Sequence, residues 1–313
     1  MIGRHKHLLG LADLSRQEIL EVLDLAVSMK EVLQRPIKKV PSLRGRSVVN
    51  LFFEASTRTR SSFEIAAKVL SADALNWTSA SSSVTKGETL VDTARNLEAM
   101  RPDVLVIRHS AGGAPRLVAD HVACAVVSAG DGAHEHPSQG LLDCFTIRER
   151  LGSLEGKTLA IVGDISHSRV ARSDLHAFPK LGTTVRLCGP PTMIPAGIEQ
   201  MGCTVTHDLR TAVEGADAVV MLRIQHERIG DPLIPNTREY SKLWGLNATK
   251  ARDWLKPSAL ILHPGPINRG VELSPDVADG PHSVILDQVQ NGVAVRMAIL
   301  YLLAGGEPAE AKA

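Results

Sequence analysis

Short apolar runs of strand character alternate with helix-period segments along nearly the whole chain, and this alternation constrains the fold more than any other feature. Ser15-Arg16-Gln17-Glu18 forms a capping box that opens a first helix. Its apolar face is Ile19, Leu20, Val22, Leu23, Ala26, Val27 and Leu33, and Pro36 stops it. Strands are predicted at 47–53, 74–78, 104–107 and 123–128, interleaved with helices at 60–70, 88–100 and 115–121. A long helix over 139–150 leads to Gly152, and the alternation then restarts. Strands follow at 158–162, 184–187, 203–206, 218–222 and 260–262, with helices near 170–180, 209–214 and 248–255 and a closing helix at 287–303. Strands apolar on both faces and separated by helices imply a parallel sheet covered on both sides. The expected fold is therefore α/β: two domains, each a parallel sheet flanked by helices, bridged by the 139–150 and 287–303 helices. The expected division is 1–138 plus 288–313 for one domain and 139–287 for the other. The halves share architecture without a sequence repeat at fixed period.

The most informative short stretch is Phe52-Phe53-Glu54-Ala55-Ser56-Thr57-Arg58-Thr59-Arg60, where the first strand ends and a helix begins. The first turn of a helix offers unpaired N–H groups and a partial positive charge, which suits an anion. Three hydroxyls and two guanidiniums add side-chain donors, with nothing acidic among them. For a lone Ser or Thr, helix capping would be sufficient reason. Five consecutive donor residues point instead to a phosphate.

Composition narrows the classes. A net charge of +1, with 44% hydrophobic and 22% charged residues, argues against a surface that coats nucleic acid, so any basic site is local. No apolar run approaches the ~20 residues of a bilayer span. The first residues, Met1-Ile2-Gly3-Arg4-His5-Lys6-His7, lack the apolar core of a secretion signal. Cys124, Cys144, Cys188 and Cys203 show no C-x-x-C pairing and read as small apolar fillers. A reducing cytoplasm without disulfides is expected.

Open parallel sheets bind ligands beyond the carboxyl ends of their strands, and suggestive residues recur there. Arg108-His109 ends the 104–107 strand. His134-Glu135-His136-Pro137-Ser138-Gln139 follows the 123–128 strand. Gly163-Asp164 ends the 158–162 strand, with Arg169 shortly after. Arg223-Ile224-Gln225 and His263-Pro264-Gly265-Pro266 close two more strands. An arginine after a strand is usually a solvated or capping residue, but five recurrences on one rim form a pattern of cationic and donor groups with few carboxylate bases. Arg58, Arg108, Arg169 and Arg223 suit several negative charges, a phosphate and one or more carboxylates, because each guanidinium can hold two oxygens. Such a site fits transfer of an activated acyl or carbamoyl group, which needs positioning and oxyanion stabilisation more than a protein nucleophile.

Three other patterns are decoys. Gly156-Lys157-Thr158 precedes a strand, whereas a phosphate loop follows one, and Leu151 stands where its first glycine belongs. Ser83-Val84-Thr85-Lys86 matches S-x-x-K without the companion motifs. His134-Glu135-His136 lacks a third ligand at zinc spacing, so no metal is expected. The dinucleotide glycine fingerprint is also missing after both first strands, and no cofactor is expected.

Taken jointly and in order, Ser56-Thr57-Arg58-Thr59-Arg60, Lys86-Gly87-Glu88, Arg108-His109, His136-Pro137-Ser138-Gln139, Arg169, Arg223-Ile224-Gln225 and His263-Pro264-Gly265-Pro266 resemble the aspartate/ornithine transcarbamoylase family. The resemblance covers essentially the whole chain and favours the aspartate-specific branch. It implies transfer of the carbamoyl group of carbamoyl phosphate to the amine of L-aspartate, a step of pyrimidine synthesis, with carbamoyl phosphate on the first domain and aspartate on the second. By position, Ser56, Thr57, Arg58 and Thr59 would hold the phosphate. Thr59, Arg108 and His136 would face the carbonyl oxygen. Gln139 and the carbonyls of Gly265 and Pro266 would orient the carbamoyl NH2. Arg169, Arg223 and Gln225 would grip the aspartate carboxylates. Ser82 and Lys86 would reach in from a neighbouring subunit, Lys86 towards aspartate, which implies a homotrimer of catalytic chains. Glu54 would arrange basic residues such as Arg169 and Arg228. His109, His134 and His263 read as packing or loop residues. Thr85 replaces a second lysine of some relatives, and Gly265 stands where others have Leu.

The resemblance implies no nucleic-acid or membrane partner, and it leaves a regulatory or dihydroorotase-like subunit open. The nearest rival is an ornithine transcarbamoylase, but that branch carries S-M-G and H-C-L-P motifs, absent here, and Arg223-Ile224-Gln225 would repel ornithine's cation. Another amino acid acceptor, a non-catalytic binding or scaffold homologue, and a dinucleotide-dependent dehydrogenase are the remaining alternatives.

Overall fold

The computed structural model describes residues 5–78, 87–225 and 233–305. The chain divides into two compact units, one of residues 1–142 with 289–313 and one of 143–288.

In the first unit the order is α1 (Arg16–Gln34), β1 (Ser47–Phe52), α2 (Thr57–Val69), β2 (Asp73–Thr78), α3 (Leu90–Glu98), β3 (Val104–His109), α4 (Ala114–Ala119), β4 (Ala125–Asp131) and α5 (Pro137–Leu151). The Ser15 side chain accepts from the Glu18 amide and Glu18 reaches back to the Ser15 amide, so α1 starts where its capping box places it. The four strands lie parallel in the order β2–β1–β3–β4. Val49, Leu51, Leu105, Ile107 and Val126 pack with Ala94 and Val118 into one core, so the sheet face under α3 and α4 is dry.

The second unit holds β5 (Thr158–Val162), α6 (Arg169–Ala177), β6 (Thr184–Cys188), β7 (Cys203–Thr206), α7 (Leu209–Val213), β8 (Ala218–Met221), α8 (Thr237–Trp244), α9 (Ala248–Trp254), β9 (Leu260–Leu262) and α10 (Pro275–Ala278). Its parallel sheet has the order β7–β6–β5–β8–β9. Ala160, Val162, Val219, Met221 and Ile261 form its core with α7 and the apolar residues of α9 and α10. The closing helix α11 (Ile285–Ala304) and α5 each run through a boundary between the units. Both expected bridges are therefore single continuous helices.

Several elements differ from expectation for local reasons. The predicted 170–180 helix ends at Ala177, and Pro179 starts a separate 3-10 turn (Pro179–Leu181), because a proline removes a helix donor. α8 went unpredicted, although Asn236 caps it through the Glu239 amide at 2.8 Å. α10 and the 3-10 turns at Pro191–Met193 and Ile198–Met201 were also missed. α2 begins at Thr57 rather than at residue 60, which moves Thr57, Arg58 and Thr59 from a loop into the first helical turn.

Topology positions the chemistry. In the first sheet the chain moves from β1 to β2 on one side and then to β3 on the other. In the second it moves from β5 to β6 and then to β8. Connections leave in opposite directions at each such switch point and open a crevice beyond the carboxyl ends. The β5 switch depends on Gly163, whose φ is +132° and where a Cβ would stand 2.6 Å from the Leu222 carbonyl oxygen. Gly163→Ala is expected to destabilise the chain by about 2 kcal/mol or more, read as a lowered midpoint in thermal unfolding. An unchanged midpoint would show that the β5–β8 approach is slack.

Candidate active site

On the first sheet, Ser56 is the N-cap of α2 in an extended conformation, yet its hydroxyl makes no capping bond and the first turn carries no acidic residue. The capping explanation of this stretch therefore fails for Ser56. Thr57 and Arg58 are exposed at the helix start, while Thr59 is buried. A helix of 13 residues presents its first-turn amides here, in company with hydroxyls and a guanidinium.

Arg108 ends β3 on the other side of the β1/β3 switch. It lies opposite Phe52 in the β1–β3 register, and its carbonyl accepts the Phe53 amide at 2.9 Å. Its guanidinium donates to Glu54 at 2.8 Å and to the Ala129 carbonyl at 3.2 Å, and only 11% of the side chain is exposed. The fork is thus held by the loop after β1 and by the neighbouring strand β4. Arg108 is thus one basic partner of Glu54, beyond the Arg169 and Arg228 named from the sequence, and Arg228 lies outside the described residues.

His136 and Gln139 follow β4. His136 is buried, and its carbonyl accepts the Gln139 amide at 2.9 Å as α5 begins. Asp131 builds this corner. Its carboxylate accepts from the Gly113 amide at 2.7 Å and the Glu135 amide at 3.1 Å, and His134 Nδ1 lies 3.1 Å away. Glu135 in turn accepts the Leu11 amide at 2.8 Å. The His134-Glu135-His136 run therefore splits, with one side chain on Asp131, one on the chain's beginning and one at the start of α5. No group of three or more His, Cys, Asp or Glu among the described residues is arranged to hold a metal.

On the second sheet, Asp164 organises the β5/β8 switch. Fully buried, it accepts from His167 Nδ1 at 2.8 Å and from the His167 amide at 3.2 Å, while its other oxygen lies 3.4 Å from the Gln225 amide. Gln225 Nε2 donates to the His167 carbonyl at 2.9 Å. Arg169, 5% exposed, occupies the first turn of α6, which Ser168 caps through the Ala171 amide. Arg223 and Gln225 leave the adjacent strand β8. One carboxylate thereby holds together the two loops that bear Arg169, Arg223 and Gln225.

The Gly265–Pro266 turn, whose peptide is cis, is cinched from behind. His263 is buried, its Nδ1 accepts the Gly265 amide at 2.7 Å, and its Nε2–H donates to Glu272 at 3.1 Å. That pattern fixes a neutral ring with the proton on Nε2. Glu272 also accepts the Asn268 amide at 2.6 Å. His263 is a positioner of the turn and not a reactive group.

The structure thus gathers Ser56, Thr57, Arg58, Thr59, Arg108, His136 and Gln139 on the carboxyl edge of the first sheet. It gathers Arg169, Arg223, Gln225, Gly265 and Pro266 on that of the second. Ser82 and Lys86 lie outside the described residues. Asp131 and Glu272 were missed by sequence reasoning, while Glu135 and Asp164 stood in runs it singled out without a role of their own. All four cysteines are free, and burial pushes the Cys124 and Cys188 thiols up to about 11 and about 12, which leaves them unreactive at neutral pH.

Comparison with known proteins gives the family. The carbamoyl-P binding domain profile of the aspartate/ornithine carbamoyltransferases matches residues 6–149, and their Asp/Orn binding domain profile matches residues 155–303. The chain belongs to the aspartate/ornithine carbamoyltransferase family. It is 86% identical over 313 residues, all of both chains, to the aspartate carbamoyltransferase catalytic subunit of Anaeromyxobacter dehalogenans strain 2CP-C. Among solved structures, aspartate transcarbamoylase from Trypanosoma cruzi in complex with carbamoyl phosphate and aspartate matches with a TM-score of 0.86, at 31% identity over 95% of each chain. Ornithine carbamoyltransferase from Thermus thermophilus matches almost as well, with a TM-score of 0.85 at 27% identity over 96% of this chain and 99% of that one. The fold is shared by both branches, so the acceptor must be argued from side chains.

The Glu54–Arg108 pair generates a test. Glu54→Ala releases a nearly buried guanidinium from its ion-pair anchor, and kcat is expected to fall by about 10²-fold while circular dichroism stays unchanged. Retention of full kcat would remove Glu54 from the positioning of Arg108.

Proposed function

We infer that this chain is a carbamoyltransferase that moves the carbamoyl group of carbamoyl phosphate to the amine of L-aspartate, giving N-carbamoyl-L-aspartate and phosphate, in pyrimidine biosynthesis. The observation that carries the acceptor is the Asp164-centred cluster, which offers Arg169, Arg223 and Gln225 while Asp164 itself is taken up by His167 and the Gln225 amide. A dicarboxylic amino acid satisfies two guanidiniums, at about 1.5–3 kcal/mol for each charge-assisted hydrogen bond.

In this reading Ser56, Thr57, Arg58 and Thr59 cradle the phosphate on the first turn of α2. Thr59, Arg108 and His136 donate to the carbamoyl oxygen, where negative charge grows as the amine attacks, and losing one such donor costs about 2.7–4 kcal/mol of barrier. Gln139 and the carbonyls of Gly265 and Pro266 accept from the carbamoyl NH2 and fix its plane. The amine's electron pair forms the C–N bond, the C–O bond to phosphate breaks, the phosphate leaves with the electron pair of that broken bond, and the proton lost by the amine passes to the departing phosphate. No protein nucleophile is required. The first unit is the carbamoyl-phosphate domain and the second the aspartate domain. The reading further includes a cytoplasmic homotrimer, with Ser82 and Lys86 of one chain serving a neighbour's site. No described helix is long and apolar enough to cross a membrane.

Arg58→Ala is expected to lose nearly all turnover while Arg58→Lys recovers a small part, because a point charge replaces a fork. Steady-state assays should show carbamoylation of aspartate and none of ornithine. Activity with ornithine alone would overturn the assignment. Mixing Arg58→Ala chains with Lys86→Ala chains is expected to restore part of the activity, since mixed trimers contain some complete sites. No recovery after verified subunit exchange would contradict a shared site.

A further inference from the structure

β4 is the last strand of the first sheet, so its outer edge would by itself present unpaired main-chain groups to water. The residues ahead of α1 cover that edge. Leu8 forms a parallel bridge with Val127: its amide donates to the Val126 carbonyl and its carbonyl accepts the Ser128 amide, both at 2.8 Å. The Val126 amide donates to His7 Nδ1 at 3.1 Å, so a side chain supplies the acceptor that a longer strand would have offered from its main chain. Leu8 and Leu11 are buried, which packs this strap against the unit as well as bonding it.

The strap runs on to the corner that carries His136. Glu135 is held there in three ways. Its amide donates to Asp131 Oδ1 at 3.1 Å, its carbonyl accepts the Asp131 amide at 3.2 Å, and its buried carboxylate accepts the Leu11 amide at 2.8 Å. The first two bonds close the corner on itself, and the third ties it to the strap. Gly10 permits the close approach, because a Cβ at that position would collide with Glu135 Oε1. His136 is the next residue, and α5 begins directly after it. Slack at Glu135 therefore reaches His136 through a single peptide link, and a misplacement of about 1 Å at a reacting centre can cost about a hundredfold in rate.

We propose that Glu135 is a positioning residue for His136, and that the strap of residues 7–11 holds it in place through the Leu11 amide. The proposal rests on the reading that His136 donates to the carbamoyl oxygen. Glu135 is 2% exposed with its carboxylate on the strap, so it acts through the main chain it anchors.

Three substitutions in the intact chain test this. Glu135→Ala removes the acceptor, Glu135→Gln keeps a carbonyl oxygen for the Leu11 amide, and Gly10→Ala presses on the same contact from the strap. Glu135→Ala is expected to lower kcat by about tenfold with KM for aspartate within about twofold, and Glu135→Gln to recover most of that kcat. Gly10→Ala is expected to lower kcat by about threefold or more. Because the effect passes through His136, adding Glu135→Ala to His136→Ala is expected to change kcat by less than about twofold, whereas a role in stability alone would multiply the two losses. Multiplied losses, or a Gln variant as slow as the Ala variant, overturn the proposal. Should Glu135→Ala fail to fold, full kcat in Gly10→Ala overturns it equally. A His136→Ala chain that keeps full kcat overturns the reading of His136 first, and the positioning role with it.

Discussion

A parallel sheet with helices on both faces has almost nowhere to do chemistry except its carboxyl edge, and this constraint governs the rest of the molecule. Both sheets reverse their strand order beside an inner strand, at β1/β3 and at β5/β8. The residues best suited to anions stand at those reversals: the α2 turn and Arg108 at the first, Arg169 and Arg223 at the second. The apolar strands set direction and depth, and the loops beyond them need only hold their donors still.

Holding donors still is the task of the buried carboxylates. Asp131, Asp164 and Glu272 each accept two or more bonds from backbone or imidazole groups of neighbouring loops, and Glu54 fixes one arm of Arg108. None is placed as a general base. A transfer whose transition state gathers charge on a carbonyl oxygen and a phosphate gains more from preorganised donors than from a base on the protein. The carboxylates therefore serve as fixtures for guanidiniums and amides. Their charge is absorbed locally, which lets a chain of formal net charge +1 concentrate cationic groups where substrates bind.

Much of the fold was legible because it rests on local signals. Short continuous apolar runs set between helix-period segments placed the nine strands of the described residues within a few residues, and the Ser15–Glu18 box marked the start of α1. The α2 donors were legible for the same reason, since Ser56 to Arg60 are contiguous. The shifted start of α2 was not legible, because Ser56 caps through conformation and leaves its side chain unused. Least readable were contacts made across the chain. Glu135 meets the Leu11 amide 124 residues away, and Gln288 meets Asp143 across 145 residues. No spacing rule announces such pairs, because only strand order brings them together. The short α8 was passed over for a related reason: its Asn236 cap is clear, but only Tyr240 among its residues is buried, so the apolar period is weak.

The central claim is that each sheet edge holds its own reactant through its own guanidiniums. Calorimetric titration of carbamoyl phosphate into the wild-type chain, Arg108→Ala and Arg169→Ala tests this most directly. The expected result is binding weakened by about tenfold or more in Arg108→Ala and within about twofold of wild type in Arg169→Ala. Equal weakening by both substitutions would contradict the division, because the guanidiniums of both edges would then hold the same reactant.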